Sequence, residues 1–184
     1  VVYATLWYIT SKSTGNIDFN SSAFLIGDET ALYTHVTGNH QNQQIKNGKF
    51  FGSVDAEYSG GKPYANRVNF NADIIHASNI TFKNLEFNNV QEVEDHVLDV
   101  MGSDHLTFDN LTFRGFLNDY SYSELSNVYY HYGYKEAIQI DVSNSSASGI
   151  SDLDKTPIFN NDLVDGAASS NITITNSYFG PYNG

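Results

Sequence analysis

The sequence predicts an all-β fold in which short strands stack in parallel as a β-solenoid. A ten-residue phrase occurs three times, at residues 78–87, 104–113 and 170–179, and a degenerate fourth copy occupies residues 44–50. A repeated unit that cannot bury its own apolar face must stack on a copy of itself. Apolar residues alternate within each copy, and no stretch has the periodicity of an amphipathic helix.

Each copy has the pattern of two short strands joined by a corner. In the first copy Ile80 and Phe82 are two residues apart, Asn84 follows, and Leu85 and Phe87 continue the apolar pattern. Alternation with a period of two is typical of a strand. Asparagine is a turn residue because it tolerates left-handed backbone and bonds its own main chain. The asparagine therefore marks the corner.

The spacing of the corner asparagines predicts one circuit of chain per copy. Asn84 and Asn110 are 26 residues apart, which suits three short strands and three turns. Asn110 and Asn176 are 66 residues apart, which is one circuit with a long insertion or two circuits with a shorter one. We expect these three side chains to form a buried, hydrogen-bonded ladder.

The rest of the chain fits a single domain over residues 1–184, expected to be a segment of a longer solenoid. Ahead of the regular repeats the expected elements are strand 1–10, turn 11–15, strands 23–26 and 31–36, a polar loop 38–44 carrying His40, and a loop 58–65 that leaves the solenoid wall. Loop insertions are expected near residues 116–135 and 143–169, where solenoids usually place binding surfaces.

Composition excludes several partners. The 184-residue chain has no cysteine and a formal net charge of −12 at pH 7, which argues against nucleic acid and anionic membranes. It also argues against strong binding of polyanionic sugars at pH 7, an argument that weakens when acid protonates carboxylates and the six histidines. No run of eighteen apolar residues is present, so no membrane insertion is expected. The start lacks a secretory signal, so an addressing segment has been removed or the chain is a fragment.

A column of polar residues is the first candidate site. Aligning the copies places Asp73, Asp99 and Gln139 at equivalent outward positions of neighbouring circuits, with Asp141 beside them. Acids so placed suit a calcium site or a pair of glycosidase carboxylates, whereas the alternative is a solvated outer face. The histidines lack zinc spacing, so no cofactor is expected, with calcium as the alternative.

Two cations and a tyrosine-rich insertion are candidate ligand-binding groups. Arg114 and Lys135 either pair a sugar carboxylate or form surface ion pairs with Glu136 or Asp119. Aromatic rings pack on the C–H faces of sugars, so the insertion suits carbohydrate unless its tyrosines fold back over the wall. The tyrosines proposed for binding are Tyr129, Tyr130, Tyr132 and Tyr134.

Three phrases, at residues 96–100, 135–141 and 171–176, carry a family resemblance. They resemble the right-handed parallel β-helix family related to pectate lyases. The match over roughly residues 68–184 is more similar to β-helix modules of Gram-positive cell-surface proteins, including the binding regions of lactobacillar serine-rich-repeat adhesins. The resemblance implies a pectate-lyase-like right-handed parallel β-helix on the bacterial surface that binds pectin-like or host polysaccharide, favoured at acid pH.

The sequence departs from the enzymes of that family. It lacks the arginine-rich signature of pectate lyases and the Asn-Thr-Asp, Asp-Asp, Gly-His-Gly and Arg-Ile-Lys signatures of polygalacturonases. This favours a non-catalytic adhesin region that uses Arg114, Lys135, the tyrosine-rich insertion and the Asp99 and Gln139 face. The alternatives are a polysaccharide lyase or glycoside hydrolase that uses Asp73, Asp99 and Asp141, and a purely structural stalk.

Overall fold

The structure is a computed structural model that describes residues 4–9, 15–26, 31–52, 56–59, 62–65, 69–88, 96–114, 116–117, 136–143, 165–180 and 182–183. These residues are nearly all in strands, most of them in one largely parallel sheet, and they contain no helix. The all-β prediction is confirmed. No helix that could cross a membrane is found in these ranges.

Within the described ranges every regular element is a strand. In order they are β1 Ala4–Ile9, β2 Ile17–Ile26, β3 Ala31–Gly52, β4 Ala56–Ser59, β5 Lys62–Ala65, β6 Asn69–Asn88, β7 His96–Met101, β8 Asp104–Arg114, β9 Phe116–Leu117, β10 Glu136–Asp141, β11 Ser170–Thr175, β12 Tyr178–Phe179 and β13 Tyr182–Asn183. Strands β4 and β5 pair only with each other, as an antiparallel hairpin where the sequence predicts a loop leaving the wall.

The described strands of the main sheet form five stacked levels, which we call tiers. Tier 1 is β1 with β2, tier 2 is β3, tier 3 is β6, tier 4 is β7 with β8, and tier 5 is β10 with β11 and β12. Each tier pairs in parallel with the tier before it along two paths, β1-β3-β6-β7-β10 and β2-β3-β6-β8-β11.

The pairing register confirms the repeats. Ile80 lies opposite Leu106, which lies opposite Ile172, and the degenerate copy joins them because Ile45 pairs with Phe82. Asn110 and Asn176 belong to adjacent tiers, since β11 pairs directly with β8. A further copy that the sequence analysis missed lies in β2, where Ile17 pairs with Ile45.

Stacked phenylalanines form the spine of the core. Phe24, Phe50, Phe87, Phe113 and Phe179 lie one above another through all five tiers, with ring centroids 5.2–5.4 Å apart and planes within 9–17°. The middle rings are almost fully buried, whereas the ring of tier 5 is 51% exposed. Burial of each ring contributes about 1.5–3 kcal/mol, so tier-to-tier contact is the main source of cohesion.

One position in this core differs from its neighbours. Gly48 pairs with Leu85 in tier 3, and Leu85 pairs with Leu111 in tier 4. A Cβ on Gly48 would lie 2.8 Å from Cδ2 of Phe19, closer than real contacts allow. Phe19 of tier 1 therefore packs over the glycine of tier 2, where tiers 3 and 4 carry leucine.

The corner asparagines form a hydrogen-bonded ladder. Nδ2 of Asn110 donates to Oδ1 of Asn84 over 2.8 Å, and Nδ2 of Asn84 donates to Oδ1 of Asn47 over 2.9 Å. All three backbones are left-handed, with φ of 53–62°. The expectation of a buried ladder is wrong, since Asn84 and Asn110 are exposed. At the same corner of tier 5, Nδ2 of Asn176 donates to Oδ1 of Asp109 and not to Asn110.

A second corner, at the start of each repeat phrase, has its own ladder. Asn79 donates to Asn39 over 3.1 Å, and Asn171 donates to Oδ1 of Asp104 over 2.7 Å. The hydroxyl of Ser170, the Asn171 amide and the ring of His105 all bond the Asp104 carboxyl. Because these bonds favour the ionised form, they hold the pKa of Asp104 well below its usual value.

The polar stretch at residues 38–44 is not a loop as predicted. It belongs to β3, which bends there through left-handed Gly38, Gln41 and Asn42. His40 turns inward at this bend, is only 6% exposed, and bonds Gln43 through Nδ1 over 2.8 Å. The stretch is therefore the second corner of tier 2.

Replacing Asn110 tests the corner ladder. We expect Asn110→Ala to lower the free energy of unfolding by about 1 kcal/mol more than Asn110→Gly, because alanine pays the left-handed strain that glycine avoids. Both variants lose the same side-chain bonds, so their difference isolates the backbone term. Urea unfolding monitored by circular dichroism measures it, and equal losses in the two variants would contradict the strained-corner account.

The second corner makes stability depend on pH. A carboxyl whose pKa is lowered by folding adds stability above its unfolded pKa, and this stability is lost as the pH falls through the folded pKa. For Asp104 the loss therefore begins below the ordinary value of 3.8. In Asp104→Asn we expect a smaller fall in melting temperature between neutral pH and about pH 2. An unchanged fall in the variant would show that Asp104 does not contribute.

Candidate functional site

The polar column forms with the predicted register. Asp73 pairs with Asp99 across tiers 3 and 4, and Asp99 pairs with Gln139 across tiers 4 and 5. Asp141 lies outside the column, opposite Met101. It is held from the side, since Nε2 of Gln139 donates to Oδ2 of Asp141 over 3.2 Å. The three acids proposed for catalysis are therefore two members of a column and one neighbour.

The column is not a solvated outer face. Asp73 is 4% exposed and Asp99 is 1% exposed. On the same side of the strands, two residues further along, Ile75 and Met101 are equally buried. Burying a carboxylate is costly unless it is bonded or paired, so this layer is a packed part of the structure. This burial has no signal in the sequence, because strand periodicity does not say what covers the outer side.

Gln139 differs from the two acids. Its side chain is partly exposed, and its buried Oε1 has no hydrogen-bond partner among the described residues. A buried acceptor without a donor costs about 1–3 kcal/mol. Because this oxygen is buried, it is closed to a ligand in solvent, and a role of Gln139 in ligand binding stays a prediction.

No metal site is apparent at the column. Within the described ranges no group of three or more histidine, aspartate or glutamate side chains is close enough to hold a metal ion. Calcium prefers six to eight oxygen ligands. Asp73 and Asp99 supply two carboxylates, and the calcium alternative has no third acid in register with them.

Arg114 and Tyr178 form an exposed cation–aromatic pair. The guanidinium carbon of Arg114 lies 5.4 Å from the centroid of the Tyr178 ring. Arg114 is exposed at the end of β8, and Tyr178 is 50% exposed in tier 5, opposite Thr112. Arg114 was predicted as a binding residue, whereas Tyr178 was missed because it belongs to the third repeat copy. The sequence does contain a signal for Tyr178: it is an aromatic residue at the position where the two earlier copies carry Glu86 and Thr112.

A groove runs beside the asparagine corner, and we call it the corner groove. It encloses about 290 Å³ and is open to solvent along one side. It is lined by Ser21 of tier 1, Asn47, Gly48 and Lys49 of tier 2, Asn84, Leu85 and Glu86 of tier 3, and Asn110 and Thr112 of tier 4. Since Thr112 lies opposite Tyr178, the cation–aromatic pair adjoins the tier 4 end of the groove.

The surface around the corner is richer in cations than the chain as a whole. Four of the nine lysines and arginines lie there, namely Lys46, Lys49, Lys83 and Arg114. Acids pair with three of them, at 3.7 Å for Lys46 and Asp18, 3.9 Å for Lys49 and Glu86, and 3.0 Å for Lys83 and Asp109. Among the described residues of this surface, cations therefore outnumber acids by one, on a chain of charge −12.

These ion pairs accompany lowered pKa values. The side-chain amide of Asn47 and the backbone N–H of Asn20 bond Asp18, with Lys46 nearby, and together they lower the pKa of its carboxyl. The amide of Asn176 and the ammonium of Lys83 lower the pKa of Asp109. Both acids therefore stay ionised in mildly acidic solution and keep their cations paired.

Residues at the two ends of the second predicted insertion are hydrogen-bonded to each other. Ser143 accepts a hydrogen bond from the N–H of Gly166 over 2.7 Å and donates its own N–H to Ala167 over 2.9 Å. The Ser143 hydroxyl donates to Asp165, whose Oδ1 lies 3.4 Å from Nε2 of His76. These bonds from Ser143 and Ala167, with His76 nearby, lower the pKa of Asp165.

Several candidate residues lie outside the described residues. They are Lys135, Tyr129, Tyr130, Tyr132 and Tyr134, together with Asp119. Most of the two predicted insertions lies outside as well. The candidate groups that can be placed are therefore the column, the cation–aromatic pair and the corner groove.

Comparison of the chain with protein-family models, with curated proteins and with solved structures gives no match.

Proposed function

We propose that this protein is a non-catalytic carbohydrate-binding module of the adhesin type that binds acidic polysaccharide, pectin-like or from a host, at the bacterial cell surface. The observation that carries the proposal is the exposed pair of Arg114 and Tyr178 beside the corner groove. The wider resemblance to surface adhesins supports the same class of ligand.

We further propose that the tiers are successive turns of a right-handed parallel β-helix. Support comes from parallel pairing of every tier with the next and from left-handed corners that recur in register at Asn84 and Asn110. Right-handed crossovers between parallel strands are favoured in about 98% of cases. A continuous coil explains why, among the described strands, each tier pairs with the tiers next to it.

The chemistry of the cation–aromatic pair suits a uronic acid. An aromatic ring packs against the C–H face of a sugar, and a guanidinium forms charge-assisted bonds with a carboxylate. Arg114 over the Tyr178 ring presents both groups to one ligand. Amides and hydroxyls in the adjoining groove, such as those of Asn110 and Thr112, match sugar hydroxyls.

The charge balance favours binding in acid. The chain has 21 acids and nine lysines and arginines, so it repels a polyanion at pH 7. The lowered pKa values of Asp18, Asp104 and Asp109 keep these acids ionised as the pH falls. Relief of the repulsion therefore comes from the other carboxylates and from protonation of the six histidines.

The enzymatic alternative draws on the polar column. Asp73 and Asp99 lie on adjacent paired strands, and retaining glycosidases likewise hold two carboxyl groups near each other, about 5–5.5 Å apart. Their burial removes them from a substrate chain in solvent. Asp141, the third proposed acid, is out of register. We therefore favour binding without catalysis.

Binding of polygalacturonate tests the proposal. We expect Arg114→Ala to weaken binding about tenfold, since it removes a hydrogen bond to a charged group. Lys83→Ala is the matched control, because it removes the same charge from across the corner and is expected to change affinity less than about twofold. Binding should strengthen from about pH 7.5 to about pH 4, as measured by calorimetry.

Three results would contradict the proposal. Equal losses of affinity in the Arg114 and Lys83 variants would show that binding is only non-specific charge attraction. Affinity that does not rise on acidification would refute the electrostatic argument. Robust release of unsaturated or reducing sugar from polygalacturonate would show an enzyme.

A further inference from the structure

The corner groove crosses the tiers instead of following one of them. Its lining residues come from four tiers, with one asparagine from each of tiers 2, 3 and 4 at the same corner position. Parallel strands are about 4.8 Å apart, so equivalent groups recur at that spacing along the groove. A ligand that fills it must extend in the direction in which the tiers stack.

The asparagine ladder leaves hydrogen-bonding capacity facing the groove. A carboxamide has two N–H donors and two acceptor lone pairs. Within the ladder Asn84 uses one N–H toward Asn47 and one lone pair toward Asn110. Among the described contacts, one donor and one acceptor remain on the exposed Asn84 amide. Asn47 donates to Asp18 and accepts from Asn84, which leaves it the same capacity.

This array matches a polymer of sugar rings. Hydroxyls both donate and accept, as the remaining amide groups do. A ring in an extended glycan advances the chain by a length comparable to the tier spacing, so equivalent hydroxyls meet equivalent amides. A single sugar would use one tier and leave the others empty.

The charges along the groove constrain which polymer fits. Lys49, 50% exposed at the side chain, stands in tier 2, and Arg114 stands beyond Thr112 in tier 4. Between them Glu86 of tier 3 also lines the groove and pairs with Lys49 at 3.9 Å. These cations are two tiers apart. A chain with a carboxylate on every ring, or on alternate rings, places an acid near each of them.

We infer that the corner groove is the binding track of a linear acidic glycan that lies across the tiers with one ring per tier. The inference rests on the proposed function and adds the place, direction and length of the bound chain. It assigns the groove to the corner side of the sheet, away from the polar column of Asp73, Asp99 and Gln139.

Filling the groove with a large side chain tests the track. Thr112→Trp places an indole on the groove lining, whereas Thr107→Trp makes the same change on the same strand across the corner. Both threonines are partly exposed and outward. Calorimetry with galacturonate oligomers of two to six rings is expected to show affinity rising up to about four rings, one for each lining tier.

We expect Thr112→Trp to weaken binding of the four-ring oligomer at least about tenfold, and Thr107→Trp to change it less than about twofold. Lys49→Ala, with Lys46→Ala as its control, repeats the comparison with small exposed changes that do not threaten folding. Thermal unfolding checks that each variant is folded.

The outcomes separate the track from the proposed function. Affinity independent of oligomer length, or equal effects of the Thr112 and Thr107 changes, overturns the track. If Arg114→Ala still weakens polygalacturonate binding in that case, the proposed function stands. If the unaltered protein binds no acidic glycan at any pH, both fail.

Discussion

The left-handed asparagine at the corner is the constraint on which the stacking depends. Left-handed backbone costs an L-residue about 1–2 kcal/mol, and asparagine is one of the few residues that adopt it readily. Here the amide of Asn84 also donates to the tier before and accepts from the tier after. The corner amide can therefore form both hydrogen bonds only when the tiers are in register. That register sets Ile80 against Leu106 and the phenylalanine rings above one another.

The same register decides which outward side chains become neighbours. Lys49, Glu86, Thr112 and Tyr178 occupy one position of the repeat in four successive tiers. The inward positions are restricted to apolar residues by packing, whereas the outward ones are free to differ. A surface with varied chemistry thus arises on a uniform scaffold, and neighbouring columns bring Arg114 to the ring of Tyr178.

The periodic spacing of apolar residues and asparagines supports most of the predictions that can be made from the sequence. The spacing of Ile80, Phe82 and Asn84 gave strands and corner, and aligning the corners placed Asp73 opposite Asp99 and Gln139. The copy of the repeat in the first tier is hard to recognise from the sequence because its register shifts between Asp18 and Ser22. Asn20 and Ser21 are both left-handed there.

Burial was harder to predict than register. Alternation says that Asp73 and Asp99 face away from Ile74 and Val100, but it does not say whether that outer side meets water or chain. Exposure of the asparagine ladder was misjudged for a related reason, since a left-handed corner turns the amide outward. Tyr178 is hard to predict as a binding residue because it stands within a repeat, where residues are expected to serve the scaffold.

The contact of Phe19 with Gly48 limits how such a protein can vary in length. Repeat proteins commonly evolve by gaining or losing whole units, which requires that one unit fit on any other. Here an aromatic ring occupies the space that a leucine fills in tiers 3 and 4, and only a glycine beneath it leaves room. Tiers 1 and 2 are a matched pair, so duplication or deletion is accommodated at tiers 3 and 4, which share the leucine, and an insertion between Phe19 and its glycine is not.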